Sequence, residues 1–387
     1  MIPLKALTNV TLVMKDHLIP DGVLLMEQGR ILACGNKTTL PVPEHAQLID
    51  GGGHFAGPGL IDIHTHAGGP CMFTEDPVGA AAHMLQHGVT SVLPTLYFNL
   101  DKQGFLTAID LIDQAMASGR CPNIRGLYME GPYLNPKFGA DRNKNPWKGV
   151  VRRADYLEVI ERAAKLGLIW ALAPELEGIL DFVRDVKDRV PNAVFTVAHS
   201  EASPLQIEQL IPYGLKLGTH HTNATGDLQK YPECRGVSVD ETVNYNDAIY
   251  AELICDSRGI HVDPYMLRLV SKIKGRDKVI LISDALVFDG PVPPGYEGVT
   301  DINFDYDGEI AGSKLTLDVA CRNMMVHTGC SIVDVFRYAS GNPAQLLGWP
   351  DRGEIRCGSA ADLVLVDPWM QVKAVILNGE QVQPGGC

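Results

Sequence analysis

The sequence predicts an α/β chain: a (β/α)8, TIM-like barrel carrying a small β-sandwich domain formed by both chain ends. Three observations predict it. Between residues 60 and 285, apolar strand-like runs alternate with segments of helical periodicity, the pattern of parallel strands with helices outside. Those runs number eight, and most end in a polar or charged residue, as expected when eight strand ends meet at one mouth. Both chain ends lack long helical patterns and read as short strands joined by turns.

The eight runs are "LIDIHTH" (60–66), "TSVLPT" (90–95), "RGLYMEG" (125–131), "IWALAPE" (169–175), "FTVAHSE" (195–201), "LKLGTHH" (215–221), "AELICD" (251–256) and "VILISDA" (279–285). Helical spacing fits 77–87, 101–118, 153–166, 177–189, 204–211 and 263–273. At the N-terminus "VTLVMKD", the turn "PDG" and "VLLMEQGRILACG" suggest a hairpin, and "ADLVLVD" with "VKAVILNGEQV" repeats the style near the C-terminus. The expected division is 1–55 and 351–387 as the two parts of one small β domain, with 56–350 as the barrel.

Composition narrows the function classes. The chain has 387 residues, 45% of them hydrophobic and 20% charged, which is ample for a large core. A net charge of −13 with no dominant block of one sign argues against nucleic-acid binding. Apolar stretches are too short to cross a membrane, and charges come too early in the chain for a signal peptide. Nine scattered cysteines without a C-x-x-C read as reduced thiols of a cytoplasmic protein.

The chemistry begins at "PGLIDIHTHAGG" (58–69). In a strand, residues i and i+2 share a face, so His64 and His66 point together while Thr65 turns away. Two neutral imidazoles at a strand end suit one metal ion. Glu130, His199, His220 and Asp284 close four further runs, and a parallel barrel brings all these ends to one pocket. Several histidines with carboxylates match the ligand chemistry of Zn²⁺ or a similar divalent ion. Asp284 alone could equally cap a helix after the eighth strand. His83 and His87, four apart on an expected helix, and His221, which alternation turns away from the mouth, read as ordinary packing or surface histidines.

Taken in order, "PGLIDIHTH", "EGPYLNP", "VAHSE", "GTHHTNA", "GIHVDP", "ISDA" and "IAGSKLTLD" resemble the amidohydrolase superfamily, and within it the N-acetylglucosamine-6-phosphate deacetylases. The resemblance covers nearly the whole chain, including "NPAQLLG" and "GSAADLVLVD". It implies metal-dependent hydrolysis of the N-acetyl group of N-acetylglucosamine 6-phosphate, giving glucosamine 6-phosphate and acetate. It implies Glu130, His199 and His220 as ligands of a primary ion, and His64 and His66 as holders of a second in some members. The expected cofactor is one or two divalent ions, Zn foremost, with Fe, Co or Mn as alternatives. Other members use a carbamylated lysine on the fourth strand, and "IWALAPE" contains none.

Asp284 matches the catalytic aspartate, His261 a substrate-binding histidine, Asn223 and Ala224 a pair at the phosphate side, and Gly312 and Ser313 a loop closing over the sugar. A homodimer or higher homo-oligomer is expected. The chain departs from the family at two places. Asp141 stands where a substrate-touching histidine is common, with Arg142 beside it in the basic stretch 137–153. After "THHTNA" the text runs "TGDLQKYPECRGV", where Arg235 is the candidate for a phosphate-binding arginine that can come from a second subunit. These departures leave open a second reading, a deacylase of another N-acylated amino sugar or related amide with altered phosphate recognition.

Overall fold

The structure, a computed structural model, describes residues 3–140, 142–226, 229–288 and 290–382. Eight parallel strands form one sheet in chain order: Leu60–Thr65, Val89–Tyr97, Leu127–Glu130, Gly167–Leu172, Val194–Val197, Leu215–Gly218, Tyr250–Ile254 and Val279–Ile282. The first and eighth strands meet beyond their ends. Asp284 N donates to His64 O at 2.9 Å, and His66 N and Ala67 N both donate to Ala285 O. The expected barrel is therefore what the chain builds, and its closing seam lies at the first histidine pair.

The strands are buried on both faces, as β-branched and leucine-rich runs in a parallel sheet must be. Helices fill the connections. Pro77–Gln86 starts with Asp76 accepting from Gly79 N, and Lys102–Ala117 starts with Asp101 accepting from Gly104 N. Arg153–Ala163, Ile179–Arg189, Pro204–Glu208 and Pro264–Lys274 follow where periodicity placed them. Val239–Tyr245, a further helix before the seventh strand, is too short for the periodicity to register.

The chain ends share a separate seven-stranded sheet. Its order is Glu380–Gln381, Val372–Leu377, Leu363–Val366, Gln47–Pro58, Lys5–Val13, Leu18–Glu27, Arg30–Asn36. The C-terminal part joins through Leu363–Val366, antiparallel to Phe55–Pro58. Alternation gives this strand two jobs. Leu363 and Leu365 pack with Leu7, Leu12 and Leu24 in the small core, whereas Val364 and Val366 pack into the barrel's own apolar cluster. Gly59 alone separates Gln47–Pro58 from the first barrel strand, so the sheet is anchored directly under the histidine pair.

Removing residues 360–387 takes away three strands of this sheet and uncovers the Phe55–Pro58 edge. The expected outcome is insoluble protein, read as loss from the soluble fraction. A soluble truncation with wild-type melting temperature would contradict the shared sheet.

Candidate metal centre and active-site cavity

Six side chains converge at the barrel mouth, each 7% exposed or less: His64, His66, Glu130, His199, His220 and Asp284. Glu130, last residue of the third strand, sits at their centre. Its Oε1 lies 3.1 Å from His199 Nε2 and 3.4 Å from His220 Nε2, and these two nitrogens are 3.0 Å apart. Its Oε2 lies 3.3 Å from His66 Nε2 and 3.8 Å from His64 Nε2. Asp284 Oδ1 completes that second group, 3.5 Å from His64 Nε2 and 3.3 Å from His66 Nε2.

These separations test whether a metal fits. Donors about 2.0–2.1 Å from a tetrahedral ion stand about 3.3–3.4 Å from one another. Both groups lie near that value, and both consist of imidazole nitrogen and carboxylate oxygen. His64 Nε2 is buried with no hydrogen-bond partner. The two groups have the donor types and spacing that suit a divalent ion, and Glu130 is common to both.

Charge gives a second, independent reason. Burial opposes ionisation of Glu130, but the imidazoles of His199, His220, His64 and His66 gathered around it outweigh that and hold the carboxyl well below its ordinary range. Asp284 is likewise lowered, burial being overcome by the fields of His64 and His66. In return His66 is pushed up to about 9: burial works against its charge, and Asp284 and Glu130 override it. Without a cation, protons on imidazole must balance these carboxylates.

Three of the six residues adopt left-handed backbone, rare for side chains other than glycine. The φ angles are 43° at His199, 26° at His220 and 47° at Asp284. Such conformations cost about 1–3 kcal/mol each and persist only where surroundings fix them. Here each is pinned. Asn135 N donates to His199 O, Glu252 accepts from His220 N, and Asp284 N donates to His64 O. The next helix after Asp284 begins at Leu317, so Asp284 caps none.

Glu252 is the residue that sequence reasoning missed. It lies inside the seventh strand, fully buried, and its Oε2 accepts from His64 Nδ1 at 3.0 Å and from His220 N at 3.1 Å. A carboxylate can only accept, so Nδ1 of His64 carries a proton and Nε2 is the nitrogen turned toward Glu130. The available signal was a lone acidic residue within the apolar run "AELIC".

A cavity of about 250 Å³ opens above the donors. Its wall includes His261, Asn223, Ala224, Gly312 and Arg142. His261 Nδ1 donates to Asp256 Oδ2 at 2.9 Å, and its Nε2 faces Gly312 O at 3.1 Å. At Gly312 (φ +56°) a Cβ would stand 2.7 Å from Asp284 O, so glycine alone lets this wall approach. Ser313 is buried behind it; its Oγ donates to Ser283 O and its N to Asp284 O. Arg142 is forked onto Glu309. Arg235 is elsewhere, 76% exposed and paired with Glu241, and does not line the cavity. Asp141 lies outside the described residues. His83 and His87 stack on each other, and His221 turns away to Asn244.

A family model for the amidohydrolase family matches residues 55–382. The chain belongs to the amidohydrolase family. A Bacillus subtilis (strain 168) protein named N-acetylglucosamine-6-phosphate deacetylase is 28% identical over 96% of this chain and 95% of its own length. A Shewanella sp. (strain ANA-3) protein named N-acetylgalactosamine-6-phosphate deacetylase is 27% identical over 94% and 95%. The crystal structure of N-acetylglucosamine-6-phosphate deacetylase from Pasteurella multocida superposes with a TM-score of 0.83 at 25% identity, covering 98% of this chain and 99% of that one. The barrel with its two-ended sheet is thus an amidohydrolase architecture at full length.

Metal loading of this centre competes with protons. Since, against burial, Asp284 and Glu130 push His66 up to about 9, loading below that pH expels protons, and affinity rises with pH by up to about tenfold per unit for each proton released. Calorimetry of chelator-stripped protein with Zn²⁺ in buffers of different ionisation enthalpy should read that release between pH 6 and 8. Proton uptake, or affinity independent of pH, would contradict it.

Proposed function

We propose that the chain hydrolyses the N-acetyl group of N-acetylglucosamine 6-phosphate, producing glucosamine 6-phosphate and acetate. The observation that carries this reading is the Asp284 carboxylate, 3.3 Å from His66 Nε2 at the floor of a cavity walled by His261, Asn223, Ala224 and Arg142. Full-length similarity to relatives named as deacetylases of 6-phosphorylated amino sugars supports it.

In this reading Glu130, His199 and His220 hold one divalent ion, and His64 and His66 join Glu130 around a second. Charge favours two. Glu130, Glu252 and Asp284 are three buried carboxylates that, among the described residues, pair with histidines and with no Lys or Arg, so one dication leaves the pocket negative. Zn²⁺ suits the mixed imidazole and carboxylate donors, with Fe, Co or Mn compatible. When bound, the metal makes water nucleophilic near neutral pH and polarises the acetyl carbonyl.

The chain's own residues do the rest. Asp284 takes the proton from the attacking water and delivers it to the departing amine nitrogen. His261, fixed through Nδ1 by Asp256 and facing Gly312 O through Nε2, stands in the wall that receives the substrate. Asn223 and Ala224 border the phosphate side, and Gly312, backed by the buried Ser313, forms the wall that holds the sugar against Asp284. The phosphorylated product and substrate fit a cytoplasmic location, since charged sugars do not cross bilayers unaided.

We propose a homo-oligomer, a dimer or larger. Arg235 projects from the hairpin of Gln229–Tyr231 and Cys234–Arg235, with exposed Tyr231 and Val237 nearby in the chain and outside this chain's own cavity. A second reading, hydrolysis of another N-acylated amino sugar with altered phosphate recognition, is favoured by one observation: Arg142 is already paired with Glu309.

Three measurements test the reading. Asp284→Asn should keep its metal and lose about 10²–10⁴-fold in kcat; activity within about threefold of wild type would remove Asp284 from the proton path. Metal analysis should find near two ions per chain in wild type, with Glu130→Gln and His199→Ala depleted. Full occupancy in both variants would overturn the ligand assignment. Acetate release from N-acetylglucosamine 6-phosphate should exceed that from the free sugar in kcat/KM, and equal values would favour the second reading.

A further inference from the structure

Among the described residues, Arg142 is the one Lys or Arg side chain that lines the cavity. Its neighbours in the basic stretch are engaged elsewhere: Lys137 with Glu201 and Arg153 with Asp185. Arg142 is tied to the wall beside the metal centre. Its Nη1 reaches Gly139 O at 3.3 Å, and Gly139 packs so closely on His199 that a Cβ there would lie 2.5 Å from the ring.

The other end of the fork crosses the mouth. Arg142 Nη1 donates to Glu309 Oε2 at 2.6 Å and Nη2 to Oε1 at 2.9 Å. Glu309 belongs to the hairpin of Ile302–Phe304 and Ile310–Ser313, whose far end carries Gly312 and Ser313 against Asp284. One ion pair therefore joins the loop after the third strand to the hairpin after the eighth. Both partners are partly in water, with side chains 38% and 49% exposed.

A planar guanidinium accepts carboxylate or phosphoryl oxygens with the same paired geometry. A half-exposed ion pair is weakly held, and a phosphate monoester brings close to two charges where a carboxylate brings one. Glu309, once displaced, turns into solvent with little desolvation to reverse. We propose that Arg142 and Glu309 form an exchangeable anion subsite: the phosphoryl group of the substrate takes the Arg142 fork, and Glu309 competes for it and so sets the preference for phosphorylated over unphosphorylated sugar. The identity of the sugar rests on the reading above; the subsite rests on the fork and its place at the mouth.

Calorimetric titration of metal-loaded protein with glucosamine 6-phosphate and with glucosamine separates the two claims, because it needs no turnover. E309Q should bind the phosphorylated amine more tightly, by up to about fivefold, the strength of an exposed pair. R142Q should bind it about tenfold to hundredfold more weakly, the loss expected for charge-assisted hydrogen bonds. R142K, which keeps charge and loses the fork, should fall between. The corresponding shifts for glucosamine should stay within about twofold. Unchanged phosphate affinity in R142Q, weaker phosphate binding in E309Q, or equal shifts for both ligands would overturn the proposal. Wild type that binds glucosamine 6-phosphate through Arg142 and releases no acetate from the N-acetylated ester would keep the subsite and remove the proposed reaction.

Discussion

The structure depends on burying three carboxylates against four imidazoles at one end of a barrel. Glu130, Glu252 and Asp284 are each held within hydrogen-bonding or ion-pairing range of histidines that have left water almost completely. Such a cluster is unfavourable by itself: like charges crowd, and desolvation penalises each one. Positive charge must balance it, either as protons on the imidazoles or as cations between the donors. The spacing near 3.3 Å suits such cations. The apolar barrel below and the two-ended sheet beneath the first strand supply the rigidity that keeps those donors apart while they repel.

Backbone geometry carries the same constraint outward. His199, His220 and Asp284 turn into the mouth because their backbones take left-handed φ angles just as their strands end. The pins that hold them come from neighbouring units rather than from their own strands. Asn135, after the third strand, holds His199; Glu252, on the seventh, holds His220; the carbonyl of His64, on the first, holds Asp284. Glu252 binds both His64 and His220, so one side chain sets the orientation of a ligand in each donor set. A substitution there would be felt at both.

Much of this was legible in the sequence because strand ends announce themselves. A His-x-His at the end of a largely apolar run, and acidic or imidazole residues closing other runs, can satisfy their chemistry only at a shared mouth. The pairing of the chain ends was legible too, since both read as short strands joined by turns without long helical patterns. What was illegible shares a physical reason. Glu252 acts through a ring nitrogen 188 residues away in sequence, and nothing in a strand's own alternation says what lies across the barrel. Glu309 answers Arg142 over a separation of 167 residues, and a loop's partners follow from where its hairpin lands rather than from its composition. Val239–Tyr245 escaped because seven residues are too few to establish a period.

The charge of the whole molecule bears on how such a site recognises an anion. At −13, the chain offers a phosphorylated sugar no long-range attraction, and at physiological ionic strength fields beyond about 8 Å are screened in any case. Recognition must therefore be short-range and geometric. The metal-binding end of the cavity holds its charge in fixed, buried donors, and the outer end holds one guanidinium whose partner is solvent-facing and replaceable. A free arginine at an open mouth would attract any anion. One already occupied by Glu309 responds only to a ligand that offers more charge in the same forked geometry while its other end is seated between His261 and Asp284. In that arrangement the counter-ion acts as a filter, and the hairpin that carries it also bears the glycine pressed against the Asp284 backbone.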